Sequence, residues 1–156
     1  MKDVVKILTD LNKTVSCMES CTGGYIANEI TNCEGASEVI KFSAVTYSNE
    51  YKIKMGVSKE VIDKYTVYSQ QTAQAMAYSI SNYAHSNYGI GITGKLNRID
   101  KRNLYGDDSI VYVSIYDRDK DKYNNLKVVA QKVSREKNKE YICNLIVKKF
   151  KEISKN

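Results

Sequence analysis

The sequence predicts an α/β fold, a three-layer α/β/α sandwich on a mixed sheet, with residues 1–156 as one domain. Three observations lead there. Segments with apolar residues at helical spacing alternate with short β-branched runs as far as Gly94, the pattern of strands joined by helical crossovers. Ser109–Tyr116 and Leu126–Val133 are β-branched runs joined by the charged segment Asp117–Asn125, which predicts an antiparallel hairpin. A long amphipathic segment follows the hairpin, so helices are available to cover both faces of the sheet.

Val4, Ile7, Leu8 and Leu11 recur at helical spacing, so the chain opens with a helix ending near Asn12. Thr14–Glu19 reads as a short buried strand, and Thr22-Gly23-Gly24 opens the helical pattern Tyr25–Ile30. Asn32–Ser37, with Gly35 and small polar residues, reads as a loop. The second half of Glu38–Tyr47 is rich in β-branched and aromatic residues and should be a strand. Ser48-Asn49-Glu50 starts a helix that runs through Met55 and stops at Gly56. Ser58 caps the next one, with Glu60 well placed against its dipole. Ser69 caps the longest internal helix, in which Ala73, Met76, Ala77, Ile80 and Ala84 form one buried stripe. Tyr88–Thr93 reads as a central strand whose glycines allow close packing, ended by Gly94. A polar, basic loop, Lys95–Asp108, precedes the hairpin. The last helix starts near Ser134 or Arg135, with Ile142, Leu145, Ile146, Phe150 and Ile153 as its apolar face.

Composition narrows the function. With 42% hydrophobic and 27% charged residues, the chain is an ordinary globular protein able to bury a sizeable core. No stretch approaches the ~20 apolar residues that cross a bilayer, and Lys2-Asp3 begins a polar amphipathic segment, so neither a membrane contact nor a signal peptide is expected and the protein should be cytoplasmic. The four cysteines (Cys17, Cys21, Cys33 and Cys143) match no zinc or redox spacing, and the only histidine, His85, lies far from them in sequence. Reduced thiols, no metal and no cofactor are the expectation. The net charge of +6 is concentrated in Arg118–Lys155 on what read as exposed faces, with no aromatic-basic motif of a nucleic-acid module. It would favour an anionic small molecule by steering rather than a nucleic acid.

The turn after the first strand carries Ser20. A hydroxyl there sits beside the N–H groups of a helix start, and two glycines let a ligand approach the backbone. Two chemistries suit that geometry: binding an anion such as phosphate, and cradling the oxyanion of an acyl transfer. A serine or threonine before two glycines also serves as a plain helix cap. Ligands of such sheets gather beyond the carboxyl ends of strands. Three polar post-strand segments should therefore converge: Ser20–Gly24, Tyr47–Lys52 and Thr93–Arg98.

These residues carry a resemblance. E-S-C-T-G-G (Glu19–Gly24), V-T-Y-S-N-E-Y-K (Val45–Lys52), V-Y-S-Q-Q-T-A-Q-A-M-A (Val67–Ala77) and G-I-T-G (Gly91–Gly94) stand in the order seen in the CinA C-terminal domain family, over nearly the whole chain. That family includes nicotinamide-nucleotide amidohydrolases. The resemblance implies hydrolysis of the carboxamide of nicotinamide mononucleotide, giving nicotinate mononucleotide and ammonia, with Ser20 as nucleophile, Lys52 acting with it and Tyr47 supporting the pair. It also implies a homo-oligomer. Elementary chemistry agrees, because a serine and a lysine on successive post-strand segments form a nucleophile and base without histidine. Lys52 must then be neutral part of the time, which requires desolvation or a nearby positive charge. Cys21 is the rival nucleophile, since a helix N-terminus lowers thiol pKa values, but a packing role is expected for it.

One stretch departs from the family. Where relatives continue the T-G segment with a glycine- and proline-rich run, this chain reads Thr93-Gly94-Lys95-Leu96-Asn97-Arg98-Ile99-Asp100. Either Lys95 and Arg98 hold the substrate phosphate by charge in place of loop N–H groups, or the pocket has changed its substrate or lost activity and the fold serves as a binding or interaction module. The expected site is therefore Ser20, Lys52 and Tyr47 for chemistry, with Cys21, Thr22, Gly23, Gly24, Thr93, Gly94, Lys95 and Arg98 for substrate.

Overall fold

The structure, a computed structural model, describes residues 1–155. The elements run α1 (Lys2–Asp10), β1 (Val15–Glu19), α2 (Tyr25–Thr31), α3 (Ala36–Val39), β2 (Ile40–Val45), α4 (Asn49–Lys54), α5 (Lys59–Tyr65), α6 (Gln70–Ala84), β3 (Tyr88–Gly94), β4 (Ile110–Asp117), β5 (Lys122–Val129) and α7 (Arg135–Ile153). The five strands form one sheet in the order β2-β1-β3-β4-β5. β1 is parallel to β2 and β3, whereas β3–β4 and β4–β5 are antiparallel. The sheet is mixed, as the alternation of elements predicts.

Strand alternation divides the interior. Val15 and Cys17 of β1, Tyr88, Ile90 and Ile92 of β3, and Val111, Val113 and Ile115 of β4 join the apolar faces of α1, α2 and α7 in the main core. On the other face α6 lies against β1, β3 and β4, and Met18 packs with Met76, Ile80 and Val57. Gly89 and Gly91 make this approach possible: a Cβ on Gly91 would stand 2.2 Å from the Ala73 carbonyl oxygen, and one on Gly89 1.9 Å from that of Ala77. Ser48, Ser58, Ser69 and Ser134 each accept a backbone N–H at a helix start, the capping role expected of serine there.

Two expectations are corrected. The segment Asn32–Ser37 is a loop only to Gly35, because α3 begins at Ala36 and buries Ala36 and Val39. The last strand is Lys122–Val129, not Leu126–Val133, and pairs in register from Asp117↔Lys122 to Ile110↔Val129. β5 is an edge strand with most of its side chains exposed, so the polar residues Lys122–Asn125 cost nothing in burial there and the tight turn shortens to Arg118–Asp121.

Candidate active site

The three post-strand segments converge at the carboxyl ends of β1, β2 and β3. Ser20 N–H donates to the Ile92 carbonyl and Thr46 N–H to the Glu19 carbonyl, so the residues leaving the strands stay tied to the sheet. Beyond them opens a cavity of about 690 Å³, with Ser20 and Cys21 at one wall and Gly94, Lys95 and Arg98 at another. This volume lies within the usual ~300–1,000 Å³ of small-molecule sites.

Lys52, buried behind Ser20, is the most unusual group beside the cavity. Its side chain, on α4, is 1% exposed, and its Nζ lies 3.2 Å from Ser20 Oγ and 2.7 Å from the Thr46 carbonyl oxygen. Burial removes water from the ammonium and lowers its pKa to about 8, against weaker opposing effects of Cys21 and Asp100. A neutral amine has two hydrogens and one lone pair. With one hydrogen held by the Thr46 carbonyl, the lone pair is free to face the Ser20 hydroxyl.

Glu19 fixes the turn that presents Ser20. It is 0% exposed at the end of β1, and its carboxylate accepts the N–H groups of Gly24 (3.1 Å), Ile26 (3.2 Å) and Ala27 (2.9 Å). The N–H groups at the start of α2 are therefore committed to Glu19 rather than to a ligand, which corrects the expectation drawn from the helix start. Gly23 N–H is likewise spent on the Ser20 carbonyl, and Gly23 and Gly24 turn the chain with φ of +63° and +92°. Among the described residues, the N–H groups of Cys21 and Thr22 donate to no other residue.

The other expected residues divide. Burial pushes the Cys21 thiol up to about 12, despite Arg135 and Lys52, so it lines the cavity as a thiol and a poor nucleophile. Thr22 and Thr93 are both 0% exposed, and the Thr93 hydroxyl donates to the Val67 carbonyl, so neither side chain faces the cavity as a substrate contact. Gly94 does line it. Tyr47 also lines it, but 66% exposed at the mouth, its hydroxyl accepting from Arg135 Nη2 at 3.5 Å rather than bonding to Lys52.

Residues of the segment 95–103 form a pinned wall of the cavity. Lys95 is buried, ion-paired to Asp108 at 2.7 Å, with its Nζ over the Tyr68 ring. Its charge is thus matched inside the protein. Asp100 accepts from the Tyr68 hydroxyl (2.5 Å), Asn103 Nδ2 (2.9 Å) and the Arg102 N–H (2.9 Å), and Asn103 in turn accepts from Asn49 Nδ2 (2.8 Å). Desolvation pushes the Asp100 carboxyl up, but these hydrogen bonds prevail and hold it at about 2. Arg98, Arg102 and Arg135 line the cavity, and none forms an ion pair among the described residues. Nor do the described residues group three histidine, cysteine or acidic side chains as metal ligands.

Sequence reasoning did not single out Thr46, Glu19, Asp100, Arg102 and Arg135 as residues of the candidate site. Thr46 acts through its backbone carbonyl, which leaves no trace in residue type. Glu19 had a signal: an acid ending a buried strand before a Thr-Gly-Gly turn has only backbone N–H groups to satisfy it. Arg135 enters from the far end of the chain, a contact only the fold discloses.

Comparison with known proteins gives the family and the fold. The sequence profile of the CinA C-terminal domain matches residues 1–152. A competence-damage inducible protein of Clostridium kluyveri is 38% identical over 129 residues, covering 81% of this chain and 31% of that protein; one of Alkaliphilus oremlandii is 44% identical over 92 residues, 58% of this chain and 22% of that protein. The chain thus spans under a third of the length of these relatives. Among solved structures, the competence/damage inducible protein CihA from Agrobacterium tumefaciens superposes with a TM-score of 0.82 at 25% identity, covering 94% of this chain and 88% of that one. The CinA superfamily protein from Klebsiella pneumoniae superposes at 0.88 with 18% identity, over 98% and 94% of the two chains, which bears on fold alone.

Proposed function

Because the chain belongs to the CinA C-terminal domain family, we propose that it is an amidohydrolase converting nicotinamide mononucleotide to nicotinate mononucleotide and ammonia through Ser20 and Lys52. The observation that carries this reading is the buried Lys52 amine 3.2 Å from the Ser20 hydroxyl. With a pKa of about 8, roughly a tenth of Lys52 is neutral at pH 7, enough to serve as a base that regenerates rapidly.

Ser20 Oγ attacks the carboxamide carbon while its proton passes to Lys52 Nζ. The oxyanion that forms is met by the N–H groups of Cys21 and Thr22. Lys52 then gives the proton to the amide nitrogen, the C–N bond breaks and ammonia leaves, with the acyl group on Ser20. Water attacks the ester, Lys52 takes its proton and returns it to Ser20 Oγ, and the carboxylate product departs. The Thr46 carbonyl keeps the amine aimed throughout.

Arg98, Arg102 and Arg135, which line the cavity, are suited to the phosphate, and Tyr47 and Tyr68 offer aromatic surface to the cationic pyridinium ring. Lys95, already paired with Asp108, supports the wall. The test is incubation of the purified protein with nicotinamide mononucleotide, following ammonia and nicotinate mononucleotide together. Equimolar release of both supports the assignment. A rise in melting temperature with no ammonia over hours supports a binding module instead, and the absence of both effects contradicts this substrate.

A further inference from the structure

We propose that Asn49, Tyr68, Asp100 and Asn103 form a clasp of positioning residues that sets the site's preference for a phosphorylated ligand: they hold the turn 100–103 against the body of the protein so that Arg98 and Arg102 meet an anionic group in the cavity. That this group is the phosphate of a nicotinamide nucleotide rests on the amidohydrolase reading above, whereas the clasp itself requires only a phosphorylated ligand.

Asp100 opens the turn. Its Oδ1 accepts the Arg102 N–H at 2.9 Å and its backbone carbonyl accepts the Asn103 N–H at 3.2 Å, the local pattern by which aspartate closes a turn. Its Oδ2 accepts from the Tyr68 hydroxyl at 2.5 Å and from Asn103 Nδ2 at 2.9 Å. Asn103 uses both ends of its amide, because its Oδ1 accepts from Asn49 Nδ2 at 2.8 Å. The turn is thereby attached at two points to elements outside it. Asn49 is the first residue of α4, a helix capped by Ser48 and anchored by the buried Lys52, and Tyr68 immediately precedes Ser69, the N-cap of α6. Both attachment points are therefore firm. A glycine- and proline-rich segment has no side chain that could make these links.

The donors to Asp100 are all neutral. A hydroxyl, a side-chain amide and a backbone N–H fill three of the roughly four acceptor positions of the carboxylate. Arg98, Lys101 and Arg102 flank Asp100 along the chain and line the cavity, and none of them forms an ion pair among the described residues. Had Asp100 bonded to one of those guanidinium groups, that cation would be matched inside the protein, as Lys95 is by Asp108. Its carboxylate is instead committed to the turn, and the cations stay available to a ligand anion. Holding the turn in place beforehand also reduces the ordering cost that exposed side chains on a free loop incur on binding.

The test compares KM and kcat for nicotinamide mononucleotide and for its nucleoside in the native protein, Asn49→Ala, Asn103→Ala, the double variant and Tyr68→Phe. Asn103→Ala breaks two side-chain links and should raise KM for the mononucleotide about tenfold, with kcat and the KM of the nucleoside near native. Asn49→Ala and Tyr68→Phe break one link each and should raise it about threefold. Because Asn49 acts through Asn103, the double variant should match Asn103→Ala rather than multiply the two effects. An unchanged KM for the mononucleotide overturns the proposal. An equal rise for the nucleoside, or a parallel fall in kcat, also overturns it, since a merely loosened fold would give either. If Asn103→Ala does not fold, Asn49→Ala and Tyr68→Phe decide by the same criterion. Absence of ammonia release from the native protein contradicts the amidohydrolase reading, and the clasp is then read by calorimetric binding of ribose 5-phosphate. Asn103→Ala should weaken that binding about tenfold. Equal affinity in variant and native protein, or no binding to either, overturns the clasp.

Discussion

Lys52 Nζ stands 3.2 Å from Ser20 Oγ, with the lysine 1% exposed and its amine held by the Thr46 carbonyl at 2.7 Å. A buried lysine without a carboxylate bonded to it is a destabilising feature, and its position on α4 against the Ser20 hydroxyl is the strongest physical sign of chemistry in the molecule.

That destabilisation is measurable. The folded pKa of about 8 lies below the ordinary 10.5, so between these values the unfolded chain binds the proton that the folded one has released. Stability from this group therefore rises as pH increases from about 8 to about 10.5 and is at its minimum below that window. Lys52→Met removes the penalty and should raise unfolding stability at pH 7 by about 2–3 kcal/mol, while abolishing ammonia release. Urea unfolding at pH 7 and pH 10 checks both the gain and its loss at high pH.

The same titration predicts the acid limb of catalysis. The rate constant kcat/KM should rise tenfold per pH unit below about 8 and level above it, because only neutral Lys52 accepts the Ser20 proton. Lys52→Arg, permanently charged, should leave no limb to observe. A pH profile of ammonia release is the measurement.

Glu19→Gln should loosen the nucleophile turn. The carboxylate accepts from Gly24, Ile26 and Ala27, and an amide there presents an N–H to at least one of those donors. A loss of about 2 kcal/mol or more is expected, with faster amide exchange confined first to Gly24–Ala27.

Phosphate recognition separates substrates. Arg98→Ala and Arg135→Ala should each raise KM for the mononucleotide by about ten- to a hundredfold, with kcat little changed and almost no effect on the nucleoside lacking the 5′-phosphate. Equal KM values in variant and native protein would assign that arginine to the solvated surface.

Much of this architecture is legible in the residues. Serine caps, the α6 stripe and the glycines of β3 fall where helix periodicity and close packing require them, and the E-S-C-T-G-G and T-Y-S-N-E-Y-K segments bring Ser20 and Lys52 forward as a pair. What escapes the sequence has physical reasons. β5 reads late because an edge strand tolerates polar residues on its exposed side chains. Thr22 and Thr93 read as contacts because hydroxyl residues beside glycine suit a ligand, whereas strand ends and the tight turn point them inward. The 95–108 segment has a solvated composition, yet Lys95 is buried because Asp108 and Tyr68 enclose its charge. Such pairings depend on chain crossings that no local pattern encodes.

The central claim is that Ser20 is the nucleophile and Lys52 its base. Ammonia release from nicotinamide mononucleotide, measured for the native protein, Ser20→Ala and Cys21→Ala under one set of conditions, tests it most directly. Ser20→Ala should lose at least about a thousandfold in kcat, the scale on which activated nucleophiles act, while Cys21→Ala keeps most of the native rate. Equal rates in the native protein and Ser20→Ala would contradict it.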